Sequence, residues 1–160
     1  AVDQIRALWS KYRETVGLYV REDDTRVCIY RLESPQSLRH SVRVGQVLPL
    51  HLGASGKVFL AYMPQDDVQA LLARVNWDPD RARHLFQELA DIKQKGIAVT
   101  FGEREPGNAS IAAPIMDRHE TPIAVMFISG PIQRLSPDRL EEMAKSIIVA
   151  AQTISSRIVN

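Results

Sequence analysis

The sequence has little cysteine, no long apolar run and no excess of charge of either sign, and each lack excludes a class of protein. Cys28 is the single cysteine among 160 residues. It stands between Val27 and Ile29, so we expect a buried thiol rather than a disulfide framework or a nucleophile. No apolar stretch of about 18 residues and no export signal is present. We therefore expect a cytoplasmic chain without a membrane partner.

The charged residues are balanced and interspersed along the chain. The chain has 20 Lys and Arg residues and 19 Asp and Glu residues, which gives a formal net charge of +1. A surface that reads DNA carries a basic stripe or patch, and none is visible, so we do not expect these residues to contact DNA. A length of 160 residues corresponds to about one domain. Because the sequence starts at Ala1, without Met and inside a helical pattern, we expect residues 1–160 to be a single domain of a longer protein.

Two periodicities of apolar residues organise the chain. Helical spacing predicts helices over 2–14, 54–63, 81–95 and from 136 to the C-terminal end, with a further helix opening at Asp66 or Asp67. Period-two alternation predicts strands over 16–20, 27–32, 97–103, 108–115 and 123–130, and residues 42–52 also alternate. The sequence therefore predicts an α+β domain, with an antiparallel sheet of five to six strands, flanking helices and a helical insertion.

The last three predicted strands carry small polar side chains on otherwise apolar faces. Phe127 and Ser129 share one face of their strand, Asn108 and Ser110 share a face of the preceding strand, and Thr100 lies on the third. If the strands are neighbours, hydroxyls and an amide converge beside an aromatic ring. An apolar cavity with a few placed hydrogen-bonding groups is typical of a small-molecule site. The alternative is that each hydroxyl bonds to nearby backbone.

The segment 53–57 superficially resembles two catalytic motifs and matches neither. A phosphate-binding loop needs four residues between its glycines and Ser or Thr after Lys, whereas this segment has two residues there and Val58 after Lys57. A nucleophile elbow needs Gly where Lys57 stands. The histidines are scattered without metal-ligand spacing, at His40, His51, His84 and His119. We therefore expect no metal and no cofactor.

A series of short motifs gives the chain a family resemblance. In order, they are Val44-Gly45-x-x-Leu48-Pro49-Leu50-His51, Gly56-Lys57-x-x-Leu60-Ala61, Lys95-Gly96, Glu103-Arg104-Glu105-Pro106-Gly107, Ile111-Ala112-Ala113-Pro114-Ile115 and Ser129-Gly130-Pro131. Over nearly its whole length the chain resembles the effector-binding domain of IclR-type bacterial transcription regulators. The resemblance implies a GAF-like sheet domain that binds a small effector, assembly into a homodimer or homotetramer, and an N-terminal winged helix-turn-helix for operator DNA, which this sequence does not contain.

The resemblance also implies the residues of an effector site. They are the loop residues Gly53, Ala54 and Ser55, the sheet residues Thr100, Asn108, Ser110, Phe127 and Ser129, and the apolar wall residues Leu38, Val42 and Leu48. Unpaired N–H groups at the start of a helix favour a carboxylate. We therefore expect a small carboxylate, aliphatic or aromatic. Thr100 stands where many members of the family carry an acidic residue, and Phe127 stands where some carry a small hydroxyl. We therefore expect the preferred ligand of this chain to differ from theirs.

Three functions from different classes follow from these patterns. The first is a sensor whose bound metabolite controls the distant DNA-binding domains through the oligomer. The second is an assembly module whose pocket is filled by Met126 and Phe127. The third is a small enzyme with Glu103 as a base, which is disfavoured because no acid–base pair can be identified. Arg104 and Glu105 are expected in a solvated turn, unless Arg104 reaches over the pocket mouth to pair with an acidic ligand.

Overall fold

The segments with period-two alternation form one sheet in the computed structural model, which describes residues 1–159. Its strands are β1 (Thr15–Glu22), β2 (Thr25–Leu32), β3 (Val47–Pro49), β4 (Ala98–Phe101), β5 (Asn108–Met116) and β6 (Pro122–Pro131). The helices of the described residues are α1 (Val2–Tyr12), α2 (Ala54–Ala61), α3 (Gln65–Arg74), α4 (Pro79–Lys95) and α5 (Pro137–Val159), with a 3-10 turn at Ile132–Arg134. This six-stranded α+β arrangement confirms the predicted fold class.

All neighbouring strands are antiparallel, in the order β3-β2-β1-β6-β5-β4. The predicted polar turn joins β1 to β2, and Asp23 there takes a left-handed φ of 53°, which Asp tolerates better than most residues. β6 joins the two halves of the sheet because it pairs with both β1 and β5. β5 lies between β4 and β6, so the last three strands are neighbours as the candidate pocket requires.

The sheet buries both faces, each against different helices. α1 and α5 cover one face, α2 covers the other, and α4 packs against α2. Alternation along β6 sends Met126 and Ile128 into the core beneath α1 and α5, and Val125 and Phe127 into the core beneath α2 and α4. The prediction that both faces of this strand are buried is correct for its centre, whereas Ile123 near its start is 43% exposed.

Helix α4 has the start and stop signals of an amphipathic helix. Asp78 caps its N-terminus, where its carboxylate accepts from the backbone N–H of Asp80 at 2.8 Å, and Pro79 occupies the first helical position. The sequence predicts a break at residues 78–80 and a helix from Arg81, whereas in the structure residues 78–80 are the start of the helix. Gly96 ends the helix in the left-handed region, at φ 71°, as predicted. β4 follows within two residues.

Residues 42–52 contain much less strand than their alternation indicates. Only Val47–Pro49 pairs, as a short edge strand beside β2, and residues 33–46 contain neither helix nor strand. Gly45 adopts φ 86°, which turns the chain just before the edge strand. A long loop therefore runs from β2 past the end of the sheet, and it carries His40 and Val42.

The C-terminal helix α5 is 23 residues long and strongly amphipathic. Ser136 caps its start, as predicted, by accepting from the Arg139 N–H at 3.3 Å. Its buried side consists of Leu140, Met143, Ile147, Ala150, Ala151 and Ile154. Its outer side carries an ion pair between Glu141 and Lys145. In residues 1–159, no helix combines the length and the apolar character that a membrane crossing needs.

Candidate functional site

A cavity opens between the α2 side of the sheet and the turn that follows β4. The volume open to the centre of a water molecule is about 40 Å³, and the empty space counted together with the open mouth is about 420 Å³. The predicted site residues that line it are Gly53, Ala54, Ser55, Thr100, Asn108, Ser110, Phe127 and Ser129. The remaining lining residues are Tyr19, Arg26, His40, Glu103, Arg104, Glu105 and Ala109. The cavity therefore brings eight of the eleven predicted residues to one place.

The three predicted apolar wall residues do not line this cavity. Leu38 is 60% exposed, in the long loop after β2. Val42 and Leu48 are buried, but they pack in the apolar core beneath α2 and α4. The path of an irregular loop depends on tertiary contacts, such as the bond from Arg31 Nε to the Val42 carbonyl at 2.6 Å, which a local pattern does not reveal.

A row of hydroxyl side chains crosses the floor of the cavity. In the strand register Thr100 lies opposite Ser110, and Ser110 lies opposite Ser129. Directly opposed residues in antiparallel strands point to the same face, so the three hydroxyls are neighbours. Asn108, at the start of β5, donates from its side-chain amide to Glu105 at 2.7 Å. The floor thus offers donors and acceptors to a small polar molecule.

The N-terminus of α2 forms a second wall. Gly53 is its N-cap, with φ 92° and ψ 159°, a conformation open almost only to glycine. Ala54 and Ser55 form the first helical turn and are buried. The backbone N–H groups of a first helical turn lack partners within the helix and carry partial positive charge. The Gly53 N–H donates to Glu103 Oε1 at 3.3 Å, so one local donor already has an acceptor.

His40 is a polar residue of the cavity that the sequence analysis did not assign to the site. Its Nδ1 lies 2.5 Å from Ser129 Oγ, and its Nε2 lies 2.6 Å from Arg104 Nη2. A guanidinium only donates, so Nε2 is the acceptor and the ring proton resides on Nδ1, which donates to Ser129. Burial, reinforced by the charges of Arg104 and Arg26, lowers the pKa of His40 to about 4, although Glu105 opposes this shift. His40 is therefore neutral at pH 7.

The turn after β4 covers the mouth with paired charges. Arg104 Nη2 lies 3.1 Å from Glu105 Oε1, and the Arg104 side chain is only 18% exposed. Of the two expectations for Arg104, the structure matches the second, because its side chain lines the cavity and is not in a solvated turn. Glu103 forms a close ion pair with Lys57, which also binds Glu88 at 2.9 Å. A carboxylate held by Lys57 and by the Gly53 N–H is not a free base, so Glu103 does not support the enzyme alternative.

Arg26, on β2, is the second residue that the sequence analysis missed. It is 3% exposed, donates to the Pro49 carbonyl from Nη1, and lies 5.1 Å from the centre of the Tyr19 ring. Burial lowers the pKa of its guanidinium to about 10, so it remains charged at neutral pH. Alternation could have found it, because Arg26 shares a strand face with the buried Cys28.

The described residues provide no obvious place for a metal. Residues 1–159 contain no group of three or more His, Cys, Asp and Glu side chains placed to hold an ion. The cavity chemistry is instead hydroxyls, an amide, a neutral imidazole, two guanidinium groups, the two carboxylates of Glu103 and Glu105, and an aromatic wall. A cavity with a few placed polar groups beside an aromatic wall is typical of a site for a small molecule.

Comparison with known proteins identifies a family. The family model described as "Bacterial transcriptional regulator IclR C-terminal" matches residues 1–156. The HTH-type transcriptional regulator KdgR of Dickeya chrysanthemi is 32% identical over 161 residues, which cover 97% of this chain and 53% of that protein. The transcriptional repressor IclR of Escherichia coli is 31% identical over 159 residues, which cover 94% of this chain and 58% of that protein. The chain thus spans somewhat more than half the length of these relatives.

Solved structures share the fold over the whole chain. The IclR structure from Thermotoga maritima superposes with a TM-score of 0.89 at 28% identity, covering 100% of this chain and 67% of that one. The C-terminal domain of E. coli KdgR superposes with a TM-score of 0.85 at 30% identity, covering 99% of this chain and 96% of that one. The named relatives are transcriptional regulators and not enzymes, which agrees with the non-enzymatic expectation.

Proposed function

The chain belongs to the family of C-terminal domains of IclR-type bacterial transcriptional regulators, and from this premise we propose that it senses a small organic acid and controls operator binding through its oligomer. The observation that carries the proposal is the cavity in which the Thr100, Ser110 and Ser129 hydroxyls converge with the N-terminus of α2. Hydroxyls orient a ligand, and the helix terminus favours a negative charge.

The proposed signal is a population shift. The ligand stabilises one of two arrangements of the oligomer, and this changes the spacing of DNA-binding domains that lie outside this sequence. Moving such an equilibrium from 1:99 to 99:1 takes about 5.5 kcal/mol of differential binding. We also propose a cytoplasmic location, because operator DNA lies in the bacterial cytoplasm. Repression is the role named for the IclR relative, and its transfer to this chain is part of the proposal.

We propose a homodimer or homotetramer as the functional assembly. The outer surface of α5 exposes apolar side chains, among them Val149 at 62% and Ile158 at 44%. Exposed apolar residues on a long amphipathic helix are suited to a symmetric contact between copies. Light scattering coupled to gel filtration measures the assembly, and a monomer at micromolar concentration would contradict this part of the proposal.

The cavity favours the sensor over the assembly module. The assembly alternative requires Met126 and Phe127 to fill the pocket together. Met126 lies on the opposite face, in the core beneath α1 and α5, so Phe127 alone borders the cavity. The polar lining also differs from a dry, closed core. This difference supports the sensor proposal.

Calorimetric titration with small carboxylic acids, aliphatic and aromatic, tests the proposal. We expect saturable binding by at least one acid. Two variants should weaken it while the fold persists: Ser129→Ala removes a floor hydroxyl, and Ala54→Trp fills the space at the start of α2. Ser156→Ala, on the exposed side of α5, is the matched control. Absence of binding across a broad panel by the folded chain would favour the assembly module.

A further inference from the structure

Arg26 is buried without a counter-ion. Three residues with formal charge are buried in residues 1–159, namely Glu14, Arg26 and Lys57. Glu14 receives two hydrogen bonds from Arg134, and Lys57 binds the carboxylates of Glu88 and Glu103. No carboxylate of the described residues lies within 4.0 Å of Arg26, and its Nε has no hydrogen-bond partner. Arg26 is thus the exception among the buried charges.

The guanidinium lies against the turn that opens α2. A Cβ atom placed on Gly53 would lie 2.9 Å from Arg26 Nη2, and one placed on Gly56 would lie 2.8 Å from Nη1. Glycine at these two positions therefore allows the helix terminus and the guanidinium to approach each other. Arg26 and Gly53 also line the same cavity. Two sources of positive potential, a full charge and a helix N-terminus, meet at one wall.

An unpaired buried charge is costly, and an anion removes the cost. Transfer of an ion out of water costs several kcal/mol. The Pro49 carbonyl and the Tyr19 ring contact the guanidinium of Arg26 but carry no formal negative charge to balance it. The other acids of the cavity are already engaged, because Glu105 contacts Arg104 and Glu103 contacts Lys57. Lys57 binds two carboxylates and Arg104 binds one, whereas Arg26 contacts none. A ligand that brings one carboxylate to Arg26 gives it the kind of contact that the other two cations already have.

We propose that Arg26 is the ligand's counter-ion: it binds a single carboxylate group and selects a monocarboxylate over the corresponding neutral amide. This inference rests on the proposed function, since it names the group that recognises the charge of the effector. The hydroxyl row and Phe127 then contact the body of the ligand. The planar guanidinium can bind a carboxylate through two parallel hydrogen bonds.

The test compares Arg26→Met with Arg31→Met in the 160-residue chain. Arg31 lies on the same strand, but its Nε donates to the Val42 carbonyl and it does not line the cavity. The probes are acetate, propanoate and benzoate with their amides, titrated by calorimetry. We expect Arg26→Met to weaken acid binding by about 10- to 100-fold and to abolish the preference over the amide. Arg26→Lys keeps the positive charge but lacks the planar guanidinium with its two parallel donors, so its affinity for the acids should be intermediate. Arg31→Met should leave affinity unchanged.

Thermal unfolding of the ligand-free variants gives a second readout. Removal of an unpaired buried charge should raise the melting temperature of Arg26→Met by about 2 to 4 °C. Arg31→Met should lower it, because Arg31 has a partner. Equal affinity of the wild type and Arg26→Met for an acid would overturn the inference and leave the proposed function intact. An Arg26→Met variant that unfolds or melts lower would also overturn it. A wild type that binds none of the acids would overturn both.

Discussion

The two sides of the sheet treat buried polar groups differently. Beside α1 the polar groups have partners. The Glu14 carboxylate accepts two hydrogen bonds from the Arg134 guanidinium, and the Tyr12 hydroxyl lies 2.6 Å from Ser146 Oγ. Beside α2, Lys57 has two carboxylate partners, but Arg26 has no counter-ion and a row of hydroxyls borders a cavity. A network in which every buried polar group is paired stabilises the folded chain. An incomplete network leaves hydrogen-bond donors and acceptors free to bind a ligand. We therefore propose that the α1 side serves stability and that the α2 side serves recognition.

The largest expected effect is on the complete side. Arg134→Met leaves the Glu14 carboxylate, which is 1% exposed, without its partner. Breaking a buried pair by removing one member costs about 3 to 5 kcal/mol of unfolding free energy. Urea denaturation measures this loss. The double variant Glu14→Gln with Arg134→Met should recover a large part of it, and a single-variant loss below about 1 kcal/mol would show that the pair is not structural.

His40 gives the cavity side a pH dependence. Its pKa is lowered by burial to about 4, below the ordinary 6.5. Between these values the unfolded chain binds the proton and the folded chain does not, so stability is complete above pH 6.5 and is lost as the pH falls toward 4. The contribution is on the order of 3 kcal/mol. Denaturation of wild type and His40→Gln from pH 4 to 7 measures the difference, and parallel profiles would contradict the assignment of a neutral buried His40.

A pair of glycines separates backbone strain from ligand recognition. Gly45 and Gly53 have similar φ angles, 86° and 92°, but a Cβ on Gly45 meets nothing within 4 Å, whereas one on Gly53 meets Arg26. Gly45→Ala should cost about 1 to 2 kcal/mol through the left-handed conformation alone. Gly53→Ala should cost about 1 to 3 kcal/mol and also abolish acid binding. Equal binding by the two variants in calorimetry would show that the Gly53 turn is not part of the site.

Two adjacent residues of β6 give the smallest expected effect on stability. Phe127 faces the cavity side, where its ring centre lies 4.7 Å from that of Tyr19, and Met126 faces α1 and α5. Phe127→Leu should cost about 1 to 2 kcal/mol, and Met126→Leu less than about 1.5 kcal/mol. Only Phe127→Leu should change the relative affinity for acetate and benzoate. A change of this ratio in both variants would remove the distinction between the faces.

The alternation of side chains between the two faces of a strand predicted the row of hydroxyls in the cavity, because this alternation holds along regular strands. Thr100, Ser110 and Ser129 meet in register because β4, β5 and β6 are consecutive neighbours. The loop of residues 33–46 has no such period, so the sequence could not indicate that His40 would reach Ser129, or that Leu38 would be exposed. Arg26 was within reach of the same argument, but a charged residue on an inward face contradicts the usual pattern.

The most direct test of the assignment is a two-dimensional ¹H–¹⁵N NMR titration of the chain with benzoate, with benzamide as the neutral control. We expect shifts concentrated at the amides of Gly53, Ser55, Ser110 and Ser129, with little change along α1 and α5. Benzamide should produce much smaller shifts at the same concentrations. Shifts concentrated on α1 and α5, or equal shifts from benzamide and benzoate, would contradict recognition of an acid on the α2 side of the sheet.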